Sequence, residues 1–284
     1  GLAAIERSLF EAMSAFRIER GDTPSALALA TEQSGDAIKA ITERRTETST
    51  GLDATIAGLE TIGGDAMKPA LADLKARRTA LQALRASADA ELAKPLAERD
   101  KKIGKAYLAE GSDILAGMDK ATGAIEGSIQ AMAPELAALV NVRALAWSAR
   151  SYAGTTVTAM LPAVTEKRPF RDGEAAPITA ALKQAQSLWE LVGSMVASPG
   201  IPETVRQSFA EGDAAFFTGE FRKLHDEQIK KMTSWQPPSV KFDEWRQAGA
   251  KATSTVGGVA GAAIEALEIQ AGGYSASATR QLAI

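Results

Sequence analysis

The residues with the clearest chemical potential are charged side chains that interrupt apolar helical patterns. Apolar residues recur at helical spacing from Leu2 to Phe16, and Glu19 falls at the next inward position with Arg20 beside it. Pro24 cannot donate a helical hydrogen bond, and Thr23 before it is a good helix cap. We therefore expect a kink or break here, with a new helix N-terminus that would favour an anion.

A second unusual stretch runs from residue 143 to residue 157. On one choice of seam, Arg143 and Arg150 occupy core-facing positions, and Arg150 flanks the buried face on either choice. The competing stripe comprises Val140, Trp147, Gly154 and Leu161. An unpaired buried charge costs several kcal/mol, so these arginines need partners. Two interpretations stay open, an internal salt bridge to Glu19 or another carboxylate, and a ligand site.

The ligand interpretation places Arg20 and Arg150 at one shared polar cavity. Its possible walls are Trp147, Tyr152, Thr155 and Thr156. Each guanidinium group offers a planar fork of donors, so two of them favour a small carboxylate or oxyanion.

Other chemistry is poorly represented in the sequence. Cysteine is absent and His225 is the only histidine, so we expect no metal site, no cofactor and no catalytic residues. His225 stands among Lys, Asp and Glu, which predicts a solvated surface position. There is no Gly-x-Ser-x-Gly elbow and no phosphate-binding loop, so we expect no enzyme. The net charge of −3, with both signs spread along the chain, argues against a nucleic-acid partner.

The elements that must position these residues are helices. Of the 284 residues 45% are apolar, with alanine prominent, and only 5% are aromatic, which favours closely packed helices over strands. We predict an all-α, elongated up-down helical bundle with about eight helices, built as two stacked four-helix bundles sharing long helices. Residues 1–284 would form one domain of two modules. The glycines from Gly104 to Gly127 indicate close helix contact or, alternatively, a flexible signalling element.

No apolar run approaches the roughly 18 residues of a membrane-spanning helix, and no signal peptide is recognisable. Because the chain begins with Gly1, we expect it to be a fragment excised from a longer protein.

Three stretches together resemble a known family: residues 10–27, 144–164 and 199–270. They are similar to the nitrate- and nitrite-sensing type of ectodomain found in bacterial chemoreceptors, the methyl-accepting chemotaxis proteins, and in related signalling proteins. The family motifs match at Glu19-Arg20-Gly21, at Ala153-Gly154 and at Trp245. Many members follow the middle Ala-Gly with Arg-Glu-Arg, whereas this chain has Thr155, Thr156 and Val157.

The resemblance implies a periplasmic sensor domain of an inner-membrane receptor. Such a domain is all-helical, lies between two membrane helices, acts as a homodimer, and binds a small-molecule ligand or contacts a periplasmic binding protein. We therefore expect both termini at one end, with the first and last helices adjacent and carrying the signal. The missing charges after Gly154 favour a ligand other than nitrate. The alternative is a structural or interaction protein, such as a secreted helical-bundle spacer or adhesin without a ligand.

Overall fold

The structure is a computed structural model that describes residues 1–31, 34–62 and 64–282, with side chains described through residue 273. The predicted all-α fold is confirmed: the described residues form long helices packed against one another, and no strand occurs among them. The chain divides into two compact units, residues 1–134 and residues 135–284.

The first unit is a four-helix bundle. Its helices are α1 (Leu2–Leu27), α2 (Gly35–Ile62), α3 (Lys68–Leu92) and α4 (Lys102–Met132). α1 packs against both α2 and α4, and α3 packs against α4. The short connections between successive helices are those of an up-down bundle, in which neighbours run antiparallel.

Glycine lets α1 and α2 come close together. A Cβ on Gly51 would lie 2.5 Å from the backbone oxygen of Ser8, and one on Gly58 would lie 2.6 Å from Cγ1 of Ile5. Larger residues at these two positions would therefore force the helices apart.

The predicted helix break at Thr23-Pro24 is wrong. α1 continues through Pro24 to Leu27, and the Thr23 hydroxyl donates to the Glu19 carbonyl at 2.8 Å instead of capping a new helix. Pro24 leaves the Arg20 carbonyl without its helical donor, but only three residues of α1 follow it, and it packs against α4 beside Gly104. No new helix N-terminus is therefore available there for an anion.

The second unit is organised around α5 (Ala137–Glu166), which packs against both α6 (Ala175–Val196) and α9 (Phe242–Leu282). Between α6 and α9 the chain forms α7 (Glu203–Gly212), a π-helical turn (Asp213–Phe217) and α8 (Glu220–Thr233). The π-helical turn thus separates α7 from α8.

Aromatic side chains fill the space between α6 and the π-helical turn. The Trp189 ring is stacked on Phe209 and on Phe217, with ring centroids 4.7 Å and 4.8 Å apart. The Trp189 indole N–H donates to Asp213 at 3.0 Å, and Thr218 donates to the other oxygen of that carboxylate. This pairing fixes the start of the π-helical turn against α6.

Among the described residues, no helix has the length and apolarity that crossing a bilayer requires. α1 belongs to the first unit and α9 to the second, and the expected adjacency of these two helices stays a prediction.

Candidate functional site

All four helices of the first unit meet at the carboxylate of Glu19. Glu19 is fully buried, and Arg85 of α3 donates to both of its oxygens, from Nε at 2.8 Å and from Nη2 at 2.7 Å. The Tyr107 hydroxyl of α4 donates to it at 2.6 Å, and the Thr48 hydroxyl of α2, which donates to the Arg44 carbonyl at 2.8 Å, lies 3.4 Å from it. The guanidinium Nε of Arg45 lies 3.5 Å from the same carboxylate. We call these five residues the Glu19 network.

The charges of the Glu19 network are balanced with the help of Asp89, which pairs with Arg45 at 2.6 Å. Burial raises the pKa of Tyr107, and the neighbouring Glu19 carboxylate raises it further, so the phenol stays protonated and donates. Burial lowers the pKa of Arg45. The hydrogen bond to Asp89 and the negative charges of Asp89 and Glu19 act in the opposite direction and outweigh burial, so the pKa of Arg45 is raised. The network therefore fixes the rotation of α1 about its own axis.

Arg20, one residue later, turns towards α4. Its Nη1 donates to the Ser112 hydroxyl and, at 3.4 Å, to the Leu108 carbonyl. Its aliphatic stem crosses Gly111, where an added Cβ would lie 2.8 Å from both Cγ and Cδ. The Nε of Arg20 is buried and has no hydrogen-bond partner.

Arg17 lies near Arg20 and is influenced by the carboxylate of Asp119. Burial lowers the pKa of Arg17; the charge of Asp119 acts in the opposite direction, and the charge of Arg20 lowers the pKa further. Burial also lowers the pKa of Arg20. Two partly desolvated guanidinium groups that repel each other would both be stabilised by an added anion.

The role of Gly111 is testable because α4 also carries Gly123, around which nothing lies within 4 Å of an added Cβ. We expect Gly111→Ala to displace the Arg20 side chain and destabilise the first unit by about 1–3 kcal/mol. Gly123→Ala should instead stabilise it by up to about 1 kcal/mol through helix propensity. Chemical denaturation of both variants measures the difference. In an Arg20→Ala background the cost of Gly111→Ala should disappear; persistence of the cost there would refute the steric explanation.

In the second unit the structure brings Arg150 and Trp147 together. The guanidinium carbon of Arg150 lies 5.5 Å from the centre of the buried Trp147 ring, a cation–π contact. Gly257 of α9 leaves room for the Arg150 stem. The nearby Arg143 is buried, as one of the two seams predicted. Glu19, one suggested partner for the α5 arginines, is engaged by Arg85 and Arg45 of its own unit.

The other predicted site residues of α5 separate onto different faces. Tyr152 and Thr155 are exposed, and the Thr155 hydroxyl donates to the Ser151 carbonyl. Thr156 is fully buried and contacts His225 of α8. Since Arg20 lies in the first unit and Arg150 in the second, their convergence on one cavity stays a prediction.

The prediction that His225 is a solvated surface residue is wrong. His225 is fully buried, with its ring among Phe216, Phe221 and Trp245. Its charged sequence neighbours point outward on the helix while the imidazole faces α5 and α9. Composition around a residue does not reveal which face of an amphipathic helix that residue occupies.

A separate surface groove of about 550 Å³ lies between α1 and α2, away from the Glu19 network. Much of its lining consists of small or uncharged residues, including Ser8, Ala15, Gly51 and Ala54. Arg44 and Glu47 at its edge are paired with each other at 2.6 Å. The groove therefore lacks the free charges that would select a charged ligand.

No group of acidic residues and histidine in the described part of the chain is arranged to hold a metal ion. No protein-family model matches this chain, and no curated protein or solved structure is similar to it. The resemblance to nitrate- and nitrite-sensing ectodomains thus rests on the sequence motifs alone.

Proposed function

We propose that this chain is the periplasmic ligand-sensing domain of a transmembrane chemotaxis or signal-transduction receptor, and that it binds a small anion beside Arg20. The observation that carries the anion site is the half-buried Arg20 side chain, whose buried Nε lacks an acceptor while a second half-buried arginine, Arg17, lies nearby. The motif Glu19-Arg20-Gly21, which resembles that of a sensor family, includes this residue.

The proposed ligand is a small carboxylate or oxyanion. A guanidinium group presents donors in one plane, which suits the paired oxygens of such ions. The hydroxyl of Ser112, already next to Arg20, is a further donor or acceptor for the ligand. Thr155 and Thr156 replace the charged residues of many related sensors, so we expect the preferred anion not to be nitrate.

Signalling requires two helix arrangements of similar energy, one of which the ligand prefers. An anion beside Arg17 and Arg20, which both lie on α1, would offset their repulsion and compete with Leu108 and Ser112 of α4 for the Arg20 guanidinium group, and so would change the contact between α1 and α4. Because the Glu19 network ties α1 to the other three helices, a shift at Arg20 would move α1 as a rigid element. In the proposed receptor one membrane helix precedes α1 in the sequence and another follows α9.

Isothermal titration calorimetry of the chain against a panel of small anions tests the proposal. We expect at least one carboxylate or oxyanion to bind, and Arg20→Ala to lose that binding with only a small loss of stability. The matched control is Arg78→Ala, because Arg78 is exposed and paired with Asp53, so it should bind as the wild type does. Failure of the whole panel to bind, or equal binding by Arg20→Ala, would contradict an anion site at Arg20.

The proposed receptor also acts as a homodimer. Membrane helices supply much of the affinity of such dimers by raising the effective concentration, so the isolated chain should associate only weakly. Sedimentation equilibrium over rising concentration is expected to show a reversible monomer–dimer equilibrium. A strict monomer at about millimolar concentration would count against the dimer.

A further inference from the structure

His225 sits where three elements of the second unit meet. Its Nε2 lies 3.0 Å from the Thr156 hydroxyl of α5, and its ring centroid lies 5.6 Å from that of Trp245 of α9. Phe216 of the π-helical turn packs against the same ring, with centroids 6.1 Å apart. The imidazole is therefore a central contact between α8 and its neighbours, next to Phe221, whose ring centroid lies 5.5 Å from that of Trp245.

The hydrogen bonds around Thr156 determine the tautomer of His225. The Thr156 hydroxyl donates its single proton to the Ala153 carbonyl at 2.8 Å, so it can only accept from the imidazole. The neutral form of His225 therefore carries its proton on Nε2. The other ring nitrogen, Nδ1, is buried and has no hydrogen-bond partner. A proton added at Nδ1 would create a buried cation whose new N–H has no acceptor.

We propose that His225 is a proton-binding site, and that its occupation in mild acid releases α8 from α5 and α9. We call the packing of α8 against α5 and α9 the closed form. Protonation of His225 disfavours the closed form, because the imidazolium ion needs water that this packing excludes. The inference concerns the second unit and does not rest on the proposed anion site.

Few charges act on the buried ring. α5 presents the Thr156 hydroxyl to it, the π-helical turn presents Phe216, and α9 presents Trp245, all of them uncharged. The charged residues that act on the ring are Asp226 and Arg222, both on α8 itself. Burial lowers the pKa of His225 to about 4, with Asp226 opposing that effect and Arg222 adding to it.

The direction of the pH effect follows from these values. In the released form the imidazole regains its ordinary pKa of 6.5, whereas in the closed form its pKa is about 4. The closed form is therefore fully favoured above pH 6.5 and loses its advantage as the pH falls towards 4. The ratio of released to closed molecules should rise by up to about tenfold per pH unit in that window, and by roughly 300-fold between the limits well above pH 6.5 and well below pH 4.

Nuclear magnetic resonance of the native chain tests the proposal directly, because His225 supplies the only histidine signal. We expect that signal to titrate well below pH 6 while the chain is folded. Amide exchange in α8, corrected for the intrinsic rate at each pH, should accelerate relative to neutral pH over the same range. Exchange in α3 of the first unit serves as an internal reference and should stay unchanged. A histidine that titrates near 6.5 in the folded chain would overturn the proposal.

The matched variant is His225→Phe, which keeps a ring among the aromatic neighbours but cannot bind a proton. Its α8 exchange should be independent of pH between about 6.5 and 4. If this variant loses α8 protection at the same pH as the native chain, other acidic groups cause the release and the inference is wrong. Should the variant fail to fold, the titration and the α3 reference in the native chain still decide the question.

Discussion

Replacing Glu19 with alanine is expected to destabilise the first unit by roughly 3–5 kcal/mol, more than any other single change considered for this chain. Glu19 is fully buried, and the side chain of its main partner, Arg85, is 13% exposed. Removing the carboxylate leaves Arg85 and Tyr107 without their acceptor in a space that water does not reach. The cost is therefore mainly that of an uncompensated buried charge, not the loss of one favourable contact.

Chemical denaturation followed by circular dichroism measures this loss. Tryptophan fluorescence reports separately on the second unit, because all four tryptophans lie in residues 135–284. Glu11→Ala is the matched control: Glu11 is on the same helix and pairs with Arg7, but its side chain is 60% exposed. That variant should lose less than about 1 kcal/mol. Equal losses in the two variants would mean that the Glu19 network contributes little to stability.

Glu19→Gln separates charge from shape. The amide keeps the volume and can still accept from Tyr107, but it places an NH₂ group against the Arg85 donors. We expect a loss between those of the alanine variant and the wild type. A Gln variant as stable as the wild type would show that hydrogen bonding at this position does not need the negative charge.

Helical periodicity predicted much of the fold because it depends on local sequence. The breaks after Ile62 and after Leu92, and the start of the last helix at Phe242, lie where glycine or proline interrupts an apolar pattern. Pro24 was wrongly expected to break the helix: it costs one helical hydrogen bond, but only three residues of α1 follow it and it packs beside Gly104. A breaker's effect thus depends on packing that the sequence does not display.

The candidate site was predictable only in part. Glu19 interrupts an apolar seam, so its burial could be predicted, and it is confirmed. Its partners Arg45 and Arg85 lie on polar helices where several arginines could face inward, and a pairing across 66 residues leaves no local signal. Tyr107 of α4 is fully buried, and its bond to Glu19 depends on how far α4 is shifted along its axis relative to α1.

The glycines of α4 also have roles that the sequence alone does not reveal. Close helix contact was the favoured interpretation, and at Gly111 the close neighbour is the Arg20 side chain. At Gly117 an added Cβ would lie 2.3 Å from Nε of Arg77. Both glycines thus make room for arginine side chains. The spacing of glycines in the sequence does not distinguish this role from close contact between helix backbones.

Arg99 is expected to have the second largest effect. It lies between α3 and α4, is 6% exposed, and its guanidinium group donates to four backbone carbonyls. Those carbonyls belong to Leu27, Leu29, Leu92 and Lys94. They lie at or just beyond the C-terminal ends of α1 and α3, where a helix leaves carbonyls without internal partners. One side chain therefore caps two helices at once, and its positive charge also suits the negative ends of both helix dipoles.

Arg99→Ala should therefore lower the free energy of unfolding of the first unit by roughly 3 kcal/mol, since several partly buried acceptors lose a charged donor together. Arg99→Lys should recover only part of that loss, because a single ammonium group cannot reach carbonyls on both helices. Amide exchange should accelerate first in the last turns of α1 and α3, ahead of the middle of either helix. Arg78→Ala, which removes an exposed arginine paired with Asp53 in the same unit, is the control and should cost less than about 1 kcal/mol. If Arg99→Ala costs no more than that control, water must satisfy the four carbonyls as well as the guanidinium group does.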